Sequence, residues 1–240
     1  MAIDINNVYQ TVMYILNKEQ RGYIPPTEFN SLAEQAQLTI FEKYFEDLNQ
    51  ALRMPPNDSE YSNRVKTIQE KIDMFAVSSA FVNSNKKLSD LSPELHRLGT
   101  IEYTKDFSLP VELEEMTRHD FNLAIRSNLT RPTEDYPAFT IKGDDIVTFP
   151  NDLPVDKLTV FYIKKPQKPE WNYSLGQVGN YIFNPVTAIT NPSVDFEISS
   201  IDQVELINTI LTYCGVIIRD QQVIQTAAAF VGQENQNEKS

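Results

Sequence analysis

The stretch NKEQRGYIPPTEF, Asn17–Phe29, lies between two amphipathic runs and decides how the start of the chain folds. It has the outline of a calcium-binding loop: with Asn17 first, Gly22 falls at position six, Ile24 at eight and Glu28 at twelve. Such a loop needs oxygen ligands at positions one, three, five, seven, nine and twelve. Position five is Arg21, a cation where an oxygen is required, and position nine is Pro25, which has no side-chain oxygen. The stretch therefore reads as a corner. Gly22 permits a positive φ, Pro25 and Pro26 stiffen the turn, and Thr27 is a good N-cap for the next helix. Arg21, Gly22, Tyr23, Pro25, Pro26 and Thr27 together form a structural elbow.

On either side of the elbow the apolar spacing is helical. Val8, Val12, Ile15 and Leu16 mark a first helix over about 5–19. Phe29, Leu32, Ala33, Ala36, Ile40, Phe41, Tyr44, Phe45 and Leu48 give a broad stripe that predicts the longest helix, about 28–53. Met54-Pro55-Pro56-Asn57-Asp58 ends it, and Tyr61, Val65, Ile68, Ile72 and Phe75 predict a third helix with a narrow buried seam. Three antiparallel helices joined by short turns are the expected opening.

Near residue 80 the texture changes. Asn83-Ser84-Asn85-Lys86-Lys87 is a polar loop signal. Leu98–Tyr103 predicts a strand, Thr117–Asp120 opens a short helix, and Phe139–Lys142 with Ile146–Phe149 around Gly143-Asp144-Asp145 predicts a hairpin. Leu158–Lys164 is apolar on both faces, which predicts a central strand, and Val194–Ile198 reads as a further strand. Helix returns after Ser199-Ser200 with Val204, Ile207, Ile210, Leu211, Cys214, Ile217 and Ile218 on one face. A second helical piece runs from Val223 to Val231. The expected fold class is α+β: N- and C-terminal helices form a helical bundle over 1–90 plus 199–231, a β-rich insertion (a small sheet or barrel) occupies 91–198, and 232–240 is a disordered tail.

Composition excludes several functions. The formal net charge is -12, so the chain does not hold a polyanion by neutralising phosphates. No apolar run approaches the roughly 20 residues that span a bilayer, and the start MAIDINNVYQ lacks the pattern of a signal peptide. An intracellular site of synthesis is expected. Cys214 is the only cysteine, which excludes an internal disulfide. His96 and His119 have no metal-ligand spacing, and the glycines form no phosphate-binding pattern. No catalytic residues, metal site or cofactor are expected, and the chain reads as a non-enzyme.

One further segment is unusual: Lys164, Lys165, Pro166, Lys168, Pro169, Trp171 and Tyr173 make a basic, Pro-stiffened arm ending in the only Trp. Three readings stand. Trp171 covers one end of a sheet; the arm docks on a neighbouring subunit with Trp171 and Tyr173 as anchors; or the arm contacts a nucleic-acid single strand.

Asn17–Asn30, running on through Ala36-Gln37 to Phe41, resembles the opening of virion structural proteins of short-tailed bacteriophages, including crAss-like and marine phages. The arm Lys164-Lys165-Pro166 to Trp171-Asn172-Tyr173 and the stretch Gln203-Val204-Glu205-Leu206-Ile207 are similar to the same group. The resemblance implies a neck or tail component, a head-to-tail adaptor ring (connector). It would assemble with itself in about a dozen copies, meet portal and tail proteins, and let DNA pass through its channel without sequence recognition or membrane contact. An acidic lumen suits that task, because it guides DNA by repulsion. The alternatives are a lower tail ring, a capsid auxiliary or decoration protein, or a protein-binding adaptor of the infected cell.

Overall fold

The chain is seen in a computed structural model, which describes residues 2–18, 23–53, 59–81, 86–91, 95–105, 109–218 and 229. In chain order the elements are α1 (Ile5–Lys18), α2 (Pro26–Arg53), α3 (Ser59–Asp73), β1 (Ala76–Ala80), α4 (Leu88–Leu91), β2 (Leu95–Tyr103), β3 (Val111–Glu112), β4 (Glu114–Glu115) and α5 (Arg118–Arg126). There follow β5 (Ala138–Lys142), β6 (Asp145–Phe149), β7 (Leu158–Lys164), β8 (Tyr173–Leu175), β9 (Tyr181–Phe183) and α6 (Gln203–Ile218). The molecule is a mixed α+β protein with several small sheets. Two compact units divide it: Met1–Lys71 with Pro166–Ser240, and Ile72–Lys165.

The helical unit draws on both ends of the sequence, and α6 packs on α2 and on α1. Its core comes from the spacing that predicted the helices. Ile5, Val8, Val12 and Leu16 are buried on α1, while Phe29, Ala33, Ala36, Ile40, Phe41 and Phe45 are buried on α2. Leu206, Ile210 and Cys214 do the same on α6. Removing such side chains from water is the dominant favourable contribution, about 1.5–3 kcal/mol for each large one. Val65 and Ile68 of the expected α3 seam are only half-buried. Val204, expected on the apolar face of α6, is exposed.

The elbow is shorter than expected. The helix α2 already begins at Pro26, and Phe29 N–H donates to the Pro25 carbonyl over 3.0 Å. Thr27 therefore lies inside the first turn and is no N-cap; its carbonyl accepts from the Ser31 hydroxyl. Proline suits the first helical position, because the N–H it lacks would be unpaired there. Pro26 and Ile24 are buried, Pro25 is half-buried and Tyr23 is exposed. Arg21 and Gly22 lie outside the described residues, as do the helical piece at 223–231 (Ala229 apart) and the tail at 232–240.

The second unit is built on a four-stranded antiparallel sheet of order β1-β7-β2-β3 and a three-stranded sheet of order β4-β5-β6. The strand β7 is internal, flanked by β1 and β2. Ile101, Tyr103, Leu113, Phe139, Ile146, Leu158, Val160 and Tyr162 form one buried cluster. The strands β5 and β6 make the expected hairpin, and Gly143 takes a φ of 68° at its turn. Helix α5 is capped by Thr117, whose Oγ1 accepts from Asp120 N–H over 3.3 Å.

Two sequence expectations fail. Residues 76–80 are a strand paired with β7 rather than part of a helical bundle reaching residue 90. Residues Val194–Ile198 form no strand; Val194 and Phe196 make single bridges to Glu170 and Ile3. The alternation there is real, but Phe196 and Ile198 are buried without a ladder. In consequence the unit boundaries fall at 71/72 and 165/166, and Pro166–Ile198 belongs with the helices.

Candidate interaction surface

The arm begins on the helices of its own chain. Gln37, buried on α2, donates from Nε2 to the Gln167 carbonyl over 2.6 Å and accepts at Oε1 from Glu197 N–H over 3.2 Å. The Glu197 carboxylate in turn accepts from Gln167 N–H over 2.9 Å. Pro166 and Pro169 are buried and Lys165 and Lys168 are exposed, with Lys164 half-buried. Lys168 Nζ lies 3.3 Å from Glu34 and 4.0 Å from Glu170. Such an exposed pair contributes little, about 0–1 kcal/mol.

Trp171 then closes the arm onto the helical unit. Its indole N–H donates to Asn6 Oδ1 over 3.1 Å. Its backbone N–H donates to Asn30 Oδ1 over 2.8 Å, and its carbonyl accepts from Asn30 Nδ2 over 3.3 Å. The ring lies 4.4 Å from Tyr9 and 5.6 Å from Phe183, and Tyr9 meets Phe29 edge-on at 4.8 Å. Aromatic pairs of this kind contribute about 0.5–1.5 kcal/mol each beyond area burial. Trp171 is thus an anchor within its own chain, only 4% exposed. It packs on Tyr9 of α1 and on Tyr173 and Phe183, the paired residues at the inner end of the β8–β9 sheet.

Past the anchor the chain turns outward. The strands β8 and β9 pair Tyr173 with Phe183, Ser174 with Ile182 and Leu175 with Tyr181. Paired residues share a face, so Tyr173, Leu175, Tyr181 and Phe183 lie on one side and Ser174 and Ile182 on the other. The tip closes through Gly176 N–H to the Asn180 carbonyl and Gly179 N–H to the Gly176 carbonyl, over 2.8 and 2.9 Å. Gly179 has a φ of 80°, and a Cβ on Gly176 would come within 2.2 Å of Asn180 Oδ1. The positive φ favours glycine at 179, while the Asn180 side chain that crowds Gly176 can turn away.

The base of the hairpin is held by polar groups. The Ser193 hydroxyl, buried, donates to the Asn184 carbonyl and accepts from Asn172 N–H over 3.0 Å. Asn172 Nδ2 donates to the Pro192 carbonyl over 2.8 Å, and Asn184 Nδ2 to the Asn191 carbonyl over 3.3 Å. A sequence reading limited to nucleotide-binding patterns passes over this region. Its usable signal is different: from Trp171 to Val194 there is no charged residue, the longest such run in the chain.

Elsewhere in the helical unit, ion pairs tie α6 to α2 and the short turn Ser200–Asp202 ahead of α6 to α3. Asp202 accepts from the Tyr44 hydroxyl over 2.5 Å and from Lys71 Nζ over 2.8 Å. Lys43 Nζ meets Glu205 over 2.7 Å. Burial, with the Asp202 carboxylate second, pushes the Tyr44 hydroxyl far above its ordinary pKa. Burial likewise pushes the Cys214 thiol up to about 12, so it carries no thiolate at neutral pH. In the other unit Lys86 is buried, donates to Thr148 Oγ1 over 2.7 Å, and has its pKa lowered by burial. His96 lies in β2 and His119 in α5.

Among the described residues no group of three or more His, Cys, Asp or Glu could hold a metal ion, and no helix is long and apolar enough to cross a membrane. The chain matches no known family profile, and no curated protein is similar to it.

Proposed function

We propose that the chain is a non-catalytic virion structural protein, a subunit of a head-to-tail connector ring between portal and tail. The observation that carries the proposal is the build of the helical unit. Helices α1 and α2 from the start of the chain and α6 from its end are joined into one body, with the β-rich stretch Ile72–Lys165 inserted between them. This build agrees with the bundle and β-rich insertion expected from the sequence periodicity, and the Asn17–Phe41, Lys164–Tyr173 and Gln203–Ile207 stretches resemble short-tailed phage virion proteins.

The charge supports the same reading. A net charge of -12 repels DNA on average, which suits a channel that must guide DNA without gripping it. The ion pairs that tie α6 to α2 and the turn ahead of α6 to α3 hold the early and late helices together, a useful property in a part that bears load from both neighbours. Mass spectrometry of purified particles tests the proposal first, and cryo-microscopy of the neck tests it second. A stoichiometric ring of this chain between portal and tail is expected. Its absence from particles would end the proposal, and its presence only on the capsid surface or in a lower tail ring would move it to another virion role.

A further inference from the structure

We propose that the cleft between Lys86 and the loop 151–156 after β6 binds a free apolar α-amino acid, its carboxylate on Lys86 and its ammonium on Asp152. The site lies wholly within the unit Ile72–Lys165 and is independent of the connector reading.

Lys86 is an unusual lysine. It is only 7% exposed, although lysine is almost never buried unless paired. Its φ of 49° is a left-handed conformation that a lysine seldom adopts. Among the described residues its amine has one hydrogen-bond acceptor, the neutral Thr148 hydroxyl at 2.7 Å, where an ammonium can use three. Burial lowers the Lys86 pKa, and the field of the Asp152 carboxylate offsets this only in part. The segment is nonetheless pinned. Ile146 N–H donates to the Lys86 carbonyl over 2.9 Å, and Leu88 N–H donates to the Asp144 carbonyl over 2.8 Å. A costly backbone conformation held by its surroundings, under a buried and under-partnered amine, marks a place where a ligand supplies what the chain does not.

Lys86 lines a cleft of about 540 Å³, and small-molecule sites run from about 300 to 1,000 Å³. Part of its wall is apolar: Phe81 and Leu153 are buried, and Val155 is half-buried. Asp152 and Asp156 line the same cleft and are exposed. This set of groups selects the ligand by charge. A simple carboxylate would give Lys86 an acceptor but would meet Asp152 and Asp156 as like charges. A simple amine would suit the two carboxylates and leave Lys86 as it is. A zwitterion places the opposite sign against each, and charge-assisted hydrogen bonds are the strong ones. The apolar wall then favours an aliphatic or aromatic side chain, which it removes from water.

The test is isothermal titration calorimetry of the full chain with L-leucine near neutral pH. Binding with a Kd of about 1 mM or tighter is expected. Isocaproate, which is leucine without its ammonium, and isoamylamine, which is leucine without its carboxylate, should each bind at least about ten-fold more weakly, the effect of losing one charged contact. Asp152→Asn changes an exposed position, so it should keep the wild-type unfolding midpoint while weakening leucine at least about ten-fold. Lys86→Met keeps an unbranched stem and removes the buried charge, and it should weaken leucine by as much. No leucine binding up to about 10 mM overturns the proposal. Leucine binding that Asp152→Asn leaves unchanged overturns it too, as does isocaproate binding as tightly as leucine, which would make the cleft a plain anion site. None of these results touches the connector reading, which stands or falls on the presence of the chain in particles.

Discussion

Trp171 and Val178 lie seven positions apart in one uncharged stretch, and the fold treats them in opposite ways. Trp171 is 4% exposed and Val178 93%. Residue type does not account for the contrast, since both are apolar. The difference is whether the chain supplies partners. Asn6 and Asn30 satisfy every polar group of Trp171, and Tyr9 and Phe183 cover its faces. Among the described residues nothing comparable covers Val178 at the tip, although the base of the hairpin is fixed by an equally specific set of hydrogen bonds. The comparison teaches that order and burial are separable: one part of the arm is ordered because it is buried, the next is ordered and left uncovered.

The strongest way to break the comparison is Trp171→Ala. It removes a large buried side chain at the junction of α1, α2 and the hairpin, and leaves Asn6 without its indole partner. The expected loss is about 3–5 kcal/mol, the cost of a large aromatic truncated in a core, read as a lowered midpoint in chemical denaturation. A loss under about 0.5 kcal/mol, the level of an ordinary surface change, would make Trp171 equivalent to Val178 and erase the distinction.

Asp202→Ala ranks next and asks whether the helical unit has a second, independent lock. The Asp202 side chain is 6% exposed and that of Lys71 18%, so the pair is largely shielded from water. Its removal leaves Lys71 and the Tyr44 hydroxyl without their carboxylate. About 3 kcal/mol is expected, at the lower end for a broken buried pair because Lys71 keeps some solvent. Trp171→Ala and Asp202→Ala share no contact, so a double variant should lose the sum of the two to within about 0.5 kcal/mol. A marked shortfall from that sum would mean that the anchor and the ion pairs are one device.

How far these features could be read in advance follows from the range of the forces involved. The helix α2 was legible because its stripe from Phe29 to Phe45 obeys one period over many turns. The β5–β6 hairpin was legible because Gly143-Asp144 lies between two apolar runs, and β7 because both its faces are apolar. The strand β1, AVSSA, was not: its small side chains carry no alternation, and it is a strand only because β7 pairs with it. Val194–Ile198 erred in the other direction, since its alternation reports burial without a ladder. Trp171 was visible as unusual, yet its partners Asn6 and Asn30 are far away in sequence, and no local pattern foretells them. The hairpin strands have three residues each, too few to show a period.

The smallest effect sharpens the comparison most, because it acts on order without acting on burial of the tip. Ser193→Ala deletes one hydroxyl that bridges the Asn172 N–H and the Asn184 carbonyl at the base of the hairpin. Leaving those two groups without a partner costs about 1–2 kcal/mol. The cost should fall locally, because the aromatic contacts of Trp171 with Tyr9 and the helical core remain. Hydrogen exchange is therefore the measurement: amides of 173–183 should exchange about ten-fold faster, while those of α2 and α6 keep their protection. Uniform acceleration across the helices would show that Ser193 supports the whole unit. Unchanged exchange in the hairpin would show that the Asn172 and Asn184 backbone pairing alone holds the tip.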